Sequence, residues 1–399
     1  MTPPSTCSPL APAVAELFGA EFGGVPDGVF FAPGRVNLVG AHLDYNGGLV
    51  LPVAVNRGVY LAARLRGGRR IHLRSRDSAL GFDVAWDDVG ERGDPSRDWS
   101  RYPLGVCRYF AELTGCVPGL ELVYGGDLPM ASGLSSSAAL EIVTAVALDA
   151  LCATRLPRQE LAMIGFRAET GYVGLQCGIM DQFASAFGES GQALLIDCSD
   201  ASFQHVPLDA DALDILVMDT GVPRPLTQTD FNQRVRECAE AHDVLRKVRD
   251  RRFLAQYTEE DLAVAGDALS GVRRRRAEHV IQEMRRIRSA VAGLRSGDLG
   301  ALGRALDESH ASTRDLYEVS APELDVITDA ARECDGVFGA RLTGAGFGGC
   351  AIALIRPGVH EQVESHVAER FEASFGRRPT FDLLRSGPGP GRVRDAQVE

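Results

Sequence analysis

The chain reads as an α+β protein in two domains, and three observations predict this. Its 399 residues exceed what one small core organises. Strand-like and helix-like periodicities are mixed along it without the regular βαβ spacing of a doubly wound sheet. No repeat unit recurs. Apolar alternation with β-branched residues predicts strands at Gly28–Val36, Leu49–Arg64 and Arg70–Arg74. Helical spacing of apolar residues predicts helices at Ser136–Cys152 and Gln159–Tyr172. The runs Gln192–Asp197 and Leu213–Met218 are short, apolar and bounded by turn residues, as buried strands are. A helix-rich stretch covers Asn232–Cys334, with breaks expected near Gly271 and Gly297. A strand at Gly349–Ile355 and a helix at His360–Phe375 follow. The domains are expected at 1–205 and 206–385. The tail 386–399, opening Ser-Gly-Pro-Gly-Pro-Gly, is expected to be disordered.

Composition narrows the function. An apolar fraction of 45% and a charged fraction of 24% are those of a globular, water-soluble chain. A net charge of −12 argues against general affinity for nucleic acid or anionic membrane. The run Arg273–Arg276 leads into an amphipathic helical pattern and reads as a solvated face. The N-terminus lacks a basic segment followed by an apolar core, and no stretch approaches the ~20 apolar residues of a membrane span. Nine scattered cysteines without a Cys-x-x-Cys pair suggest reduced thiols in a cytoplasmic protein, and the eight histidines form no metal-ligand cluster.

The stretch Leu128-Pro-Met-Ala-Ser-Gly-Leu-Ser-Ser-Ser-Ala-Ala-Leu140 carries the strongest functional signal. A Gly/Ser-rich loop runs straight into an apolar helix. Backbone N–H groups at such a helix start, flanked by small side chains, make a phosphate cradle. The competing reading is an ordinary helix capped by a serine hydroxyl. The Gly-x-x-x-x-Gly-Lys-Ser/Thr pattern of the usual P-loop is missing, and the chain contains a single lysine, Lys247. Phosphoryl chemistry here would therefore rely on backbone amides, arginine and a metal ion.

Three further clusters accompany the loop. Ala32–Gly48 concentrates Arg35, His42 and Asp44 in turn-forming sequence, a kit suited to a hydroxylated ligand or to a polar turn between strands. Ala168–Gln182 places Asp181 amid apolar residues, where a carboxylate needs a partner such as arginine to stay ionised. Glu169 ends a helical pattern there, positioned to approach a metal ion, to cap a helix or to form a surface pair. Arg341–Cys350 is a second glycine-rich loop preceding a strand.

Taken in order, these clusters resemble the galactokinase branch of the GHMP small-molecule kinases. Ala32–Gly48 is similar to that branch's sugar signature, Gly-Arg-x-Asn-x-Ile/Val-Gly-Glu-His-x-Asp-Tyr-x-x-Gly. Leu128–Leu140 resembles the Pro-x-x-x-Gly-Leu-Ser-Ser-Ser-Ala phosphate loop, and Arg341–Cys350 the third motif. Cys177-Gly-Ile-Met-Asp-Gln182 nearly repeats the region of the catalytic aspartate; Leu194–Cys198, Ser309-His310 and Arg314–Asp325 match as well. The resemblance covers roughly residues 25–355.

It implies an N-terminal domain of the ribosomal-S5 type and a ferredoxin-like C-terminal domain, with sugar and ATP between them. Asp181 would orient or deprotonate the anomeric hydroxyl, and Arg35 would hold Asp181 ionised. Ser137 and Glu169 would help hold Mg²⁺, with Ser136 able to replace Ser137. Ser132, Gly133, Leu134, Ser135, Ser136, Ser137 and Ala138 would cradle the phosphates, and Trp99 and Tyr102 would lie near adenine. Ala41, His42, Asp44, Gly178 and Phe231 would face the sugar. A monomer is expected.

Two positions depart from the family. Ala41 stands where the signature has glutamate, and Phe231 where relatives carry a tyrosine. The Gly-Ala-His-x-Asp form is similar to plant galacturonokinases, whose substrate carries a carboxylate at C6. Galactose is the leading substrate expectation, with galacturonate or another C6-modified sugar as the alternative. Some relatives of this branch are catalytically silent sugar sensors, which can lack Ser-Ala from the phosphate loop; Ser137, Ala138, Asp181 and Arg35 are all present here.

Overall fold

A computed structural model describes residues 9–128, 133–222 and 228–393. The first domain is built on a long antiparallel pair, β1 (Gly28–Val39) and β2 (Leu49–Arg66). Helix α1 (Leu10–Phe22) covers one face of it, burying Val14 and Phe18 against Phe31, Tyr60 and Val123. Strands β3 (Arg70–Ser75), β4 (Ser78–Ala85) and β5 (Gly119–Gly126) extend the sheet in the order β1-β2-β5-β3-β4, with β3 and β5 parallel. Helix α2 (Arg101–Thr114) precedes β5.

Helix α3 (Ser136–Cys152) is the centrepiece of the other face, together with α4 (Arg158–Arg167) and α5 (Met180–Phe187). Its Ala138, Ala139, Ile142, Val143, Ala145 and Ala147 are buried, as a helix apolar nearly all round requires. Strands β6 (Gln192–Asp197) and β7 (Ser202–Pro207) then attach to the end of β2. Because β7 runs to Pro207, the expected boundary at 205 falls inside a strand of the first domain, and the second begins with β8.

That second domain has β8 (Asp214–Asp219), then α6 (Gln228–Leu245), α7 (Glu259–Ala265), α8 (Gly271–Ser296), α9 (Leu299–Asp315) and α10 (Pro322–Arg332). Strands β9 (Val337–Leu342) and β10 (Cys350–Ile355), α11 (His360–Phe375) and β11 (Thr380–Leu384) complete it. The antiparallel order β11-β8-β10-β9 is that of a ferredoxin-like sheet, as expected. Gly271 and Gly297 fall at the two ends of α8, both with positive φ. Further breaks follow Leu245 and Asp315.

The tail corrects its expectation as far as it is described. After β11 the chain returns to the first domain, where Gly387 N–H donates to Ala54 O at 2.7 Å. Ser386 Oγ accepts from Gly191 N–H at 2.9 Å, and β12 (Gly391–Arg392) pairs with β1. The Gly/Pro-rich sequence resists helix, but its extended backbone finds an open strand edge that satisfies it. Residues 394–399 lie outside the described residues.

The domains meet over the segment joining β1 to β2. Gly40 and Ala41 donate their N–H groups to Glu283 Oε1 of α8, at 3.0 and 3.1 Å. His279 Nε2 donates to Ala41 O at 3.0 Å, and Arg341 Nη1 to Leu38 O at 3.2 Å. Burial pushes His279 down to about 4, so its ring is neutral in this role.

Candidate active site

The phosphate-loop helix starts without a side-chain cap. Ser135 sits at the N-cap of α3 in the left-handed region, φ 58°, and makes no capping bond. Its hydroxyl donates instead to Asp181 Oδ2 at 2.5 Å. The Ser135 side chain thus does not cap the first-turn N–H groups of α3, unlike in an ordinary capped helix. Ser132 lies outside the described residues. The conformational freedom of glycine is needed just before the helix, where Gly133 has φ 72°.

Arg35 ties this loop to the aspartate. From the buried interior of β1 it donates Nε to Asp181 Oδ1 at 2.8 Å and Nη2 to Oδ2 at 2.7 Å. Its Nη1 donates to Gly133 O at 2.6 Å, and its backbone N–H to Leu134 O at 3.0 Å. The bidentate fork fixes the plane of the carboxylate. Asp181 lies in the first turn of α5, its side chain 26% exposed, so one face is open to the cleft.

Behind Asp181 lies a row of carboxylates. The end of the predicted helix Gln159–Tyr172 is a π-turn, Ala168–Val173, which carries Glu169. Glu169 is bonded to Ser137, accepts from Gln182 Nε2 at 2.6 Å and lies 3.5 Å from Cys177 Sγ. The same Gln182 Nε2 donates to Glu141 Oε2 at 2.9 Å, bridging two carboxylates. Burial, then the neighbouring carboxylate charges, push Glu169 up and Glu141 well above the usual range. Glu141 and Gln182 did not figure among the expected site residues. The signal was present, since Glu141 is an acid flanked by apolar residues in an Ala/Leu/Val-rich helix. Ser136 is exposed at the start of α3, and of the two serines left open Ser137 is the one that pairs with Glu169.

The polar turn of the first cluster gathers the remaining groups. Asp44 Oδ2 accepts from Gly178 N–H at 3.1 Å, and a Cβ on Gly178 would sit 2.5 Å from that oxygen, so the approach requires glycine. Burial, then the charge of Asp181, push Asp44 up to about 6. His42, at φ 58°, stacks 4.6 Å from Tyr317 and 5.9 Å from Phe231. Its Nδ1 lies 2.9 Å from Tyr45 OH, which is 2.7 Å from Tyr317 OH. Burial, with His279 and Arg341 nearby, pushes His42 down to about 3 and keeps it neutral. Tyr45 and Tyr317 were also missed as partners; nothing local in the sequence pairs residues 272 apart.

Ala41 is buried, its backbone held by α8 as described. Tyr102, in the first turn of α2, is pushed up to about 12 by burial, then by Glu169 and Glu141. Trp99 is edge-on to Phe82 and Tyr124 at 5.9 and 5.5 Å. Leu134 and Ala138 are buried under the loop. In the third motif a Cβ on Gly346 would lie 2.2 Å from Val319 O, and the Ala345 backbone is hydrogen-bonded to His42. A cavity lined by Tyr45, Arg92, Arg101, Thr170 and Cys177 opens beside this row.

Fold and site together define the class as a small-molecule kinase. The pattern of the GHMP kinases N terminal domain matches residues 101–189 and that of the GHMP kinases C terminal domain residues 290–373. The galactokinase galactose-binding signature matches residues 16–65. Galactokinases from Roseiflexus sp. (strain RS-1) and Thermotoga petrophila are each 38% identical, over 95% and 91% of this chain and 96% and 99% of theirs. The crystal structure of Lactococcus lactis galactokinase complexed with galactose superposes with a TM-score of 0.91 at 35% identity, covering 96% of this chain and all of that one. Mevalonate kinase from Methanococcus jannaschii, at 19% identity and TM-score 0.65, shares the fold. The chain belongs to the GHMP kinases, in their galactokinase branch. Among the described residues no helix is long and apolar enough to cross a membrane.

Proposed function

We propose that this protein transfers the γ-phosphoryl group of ATP to the anomeric hydroxyl of galactose. The observation that carries the reading is the convergence of Arg35, Ser135 and Asp181 at the uncapped start of α3. The hydroxyl oxygen attacks the γ-phosphorus as its proton passes to Asp181, and the bond to the bridging β–γ oxygen breaks, releasing ADP. Arg35 orients Asp181 and offsets charge at the transferring group. The N–H groups around residues 133–138 receive the phosphates, and Trp99 and Tyr102 flank the adenine. Glu169 and Ser137, paired oxygen donors beside the cradle, suit a hard cation that takes one carboxylate and several phosphate oxygens. Mg²⁺ held there would neutralise phosphate charge.

His42, Asp44, Gly178 and Phe231 hold the sugar, with Ala41 near its C6 side. A neutral C6 suits the charges present. Arg35, Arg234 and Arg341 are engaged with Asp181, with Tyr317 O and Glu237, and with Leu38 O and Leu342 O. An acid sugar would meet Asp44 and Asp181 without an uncommitted guanidinium among these three. The missing glutamate at position 41 is what favours the second reading, a C6-modified sugar such as galacturonate. Action as a monomer in the cytoplasm completes the proposal; the unbridged thiols agree with that compartment.

The test is a kinase assay with Mg²⁺-ATP on galactose, galacturonate, glucuronate, arabinose and N-acetylgalactosamine, with phosphorus NMR to locate the new ester. Galactose should give the highest kcat/KM and a C1 phosphate. Preference for galacturonate would overturn the substrate, and no transfer to any of the five would overturn the kinase reading in favour of a sensor.

A further inference from the structure

We propose that Cys116 and Cys152 form a modification site, a thiol pair that a low-molecular-weight disulfide converts into an intramolecular bridge between the ends of α2 and α3. Cys116 follows α2 directly after its C-cap Gly115, and its N–H is held by Thr114 Oγ1 at 3.2 Å. Cys152 is the last residue of α3. The two helices pack side by side, so their C-terminal ends bring the sulfurs to 2.8 Å. Closing to a disulfide bond of 2.03–2.05 Å needs a further approach of about 0.8 Å, within the reach of χ1 adjustments alone. Both residues are half-buried, which leaves a path for a small oxidant, whereas Cys107, Cys238 and Cys350 are fully buried.

The chemistry balances as two exchanges. Burial, then the Cys116 sulfur and Asp149, push the Cys152 thiol up to about 12, so Cys152 is assigned the second, intramolecular attack. The Cys116 thiolate attacks one sulfur of the small disulfide, breaks its S–S bond and releases one thiolate. The Cys152 thiolate then attacks the Cys116 sulfur and expels the second. The two protein thiols are oxidised, the small disulfide is reduced to two thiols, and the two protons pass to the departing sulfurs.

The bridge would join residues 36 apart in sequence and enclose β5, the phosphate loop and α3 in one covalent ring. A ring of that size restricts the unfolded chain and stabilises the domain. It lies remote from the chemistry, because the 17 residues of α3 separate Cys152 from the phosphate-loop end by roughly 24 Å. The device therefore raises stability under oxidising conditions while leaving turnover in place.

The experiment incubates the full chain, natively folded, with oxidised glutathione and maps its peptides after alkylation. The expected result is a Cys116–Cys152 cross-linked peptide, a melting temperature higher by at least about 5 °C that dithiothreitol reverses, and kcat within about twofold of the reduced protein. Cys116→Ser and Cys152→Ser should each lose both the cross-link and the temperature shift. Glutathione adducts on either cysteine without the cross-link, alkylation of both thiols after prolonged oxidation, or a cross-link to another cysteine would each overturn the proposal. The peptide map of the unsubstituted chain decides this even where a serine variant folds poorly.

Discussion

Removing Asp181 tests the centre of the reading, because it separates catalysis from stability in one position. Asp181→Ala deletes the group that takes the hydroxyl proton, and loss of a general base commonly lowers the rate ~10²–10⁴-fold. It also takes two of the three side-chain hydrogen bonds from a guanidinium that is 4% exposed, leaving it Gly133 O. Breaking a fully buried ion pair from one side costs ~3–5 kcal/mol. Asp181 is 26% exposed, so water reaches the vacated space, and a cost of about 1–3 kcal/mol is the better figure. For a domain of this size that is a fall of roughly 3–10 °C in Tm. Asp181→Asn keeps one oxygen for Arg35, so it should recover much of the stability and none of the turnover. ADP release at saturating galactose and Mg²⁺-ATP, with scanning fluorimetry on the same preparations, reads both quantities. Turnover of Asp181→Asn within tenfold of the natural protein would remove Asp181 as the base. An unmoved Tm in Asp181→Ala would refute the pairing with Arg35.

Three other perturbations probe the surrounding groups. Ala41→Glu should raise the galactose-to-galacturonate ratio in kcat/KM, since two carboxylates ~4 Å apart at an effective dielectric of ~20 repel by ~4 kcal/mol; an unchanged ratio would mean that position 41 does not face C6. Glu141→Leu strands one of the two Gln182 amide bonds and should raise KM for Mg²⁺-ATP at least about fivefold, whereas Glu141→Gln, which still offers an acceptor oxygen, should stay near the natural value; equal effects of the two would show that Glu141 is not acting through Gln182. With Asp44 raised to about 6, its ionised form is lost as pH falls through that value, so kcat/KM for galactose should drop below pH 6. His279, held down at about 4, works on stability in the same direction: the unfolded chain binds its proton near 6.5, so Tm should fall as pH is lowered from 6.5 toward 4. A flat profile of galactose kcat/KM and of Tm across that window would contradict both shifts.

What was legible in the sequence was local. Ser136–Cys152, Gln192–Asp197 and His360–Phe375 have the predicted bounds, because each carries its periodicity and its terminators within its own length. The strands that escaped notice, such as β9 and β11, are short and take their stability from neighbours far along the chain. The family motifs were legible too, since a phosphate cradle is a matter of consecutive backbone amides and small side chains. The pairing of Arg35 with Asp181, 146 residues apart, was expected from the chemistry of a carboxylate among apolar residues and from the family pattern; its bidentate geometry was not. Three outcomes were decided by tertiary structure alone. Ser135 turns from the helix it would have capped to Asp181, Gln182 bridges Glu141 and Glu169, and the Gly/Pro-rich tail joins the edge of β1. In each case a polar group has several possible partners of similar strength, and which one it meets depends on distant elements packing beside it. Sequence carries the groups and their local conformations; only the folded chain brings distant donors and acceptors within 3 Å of one another.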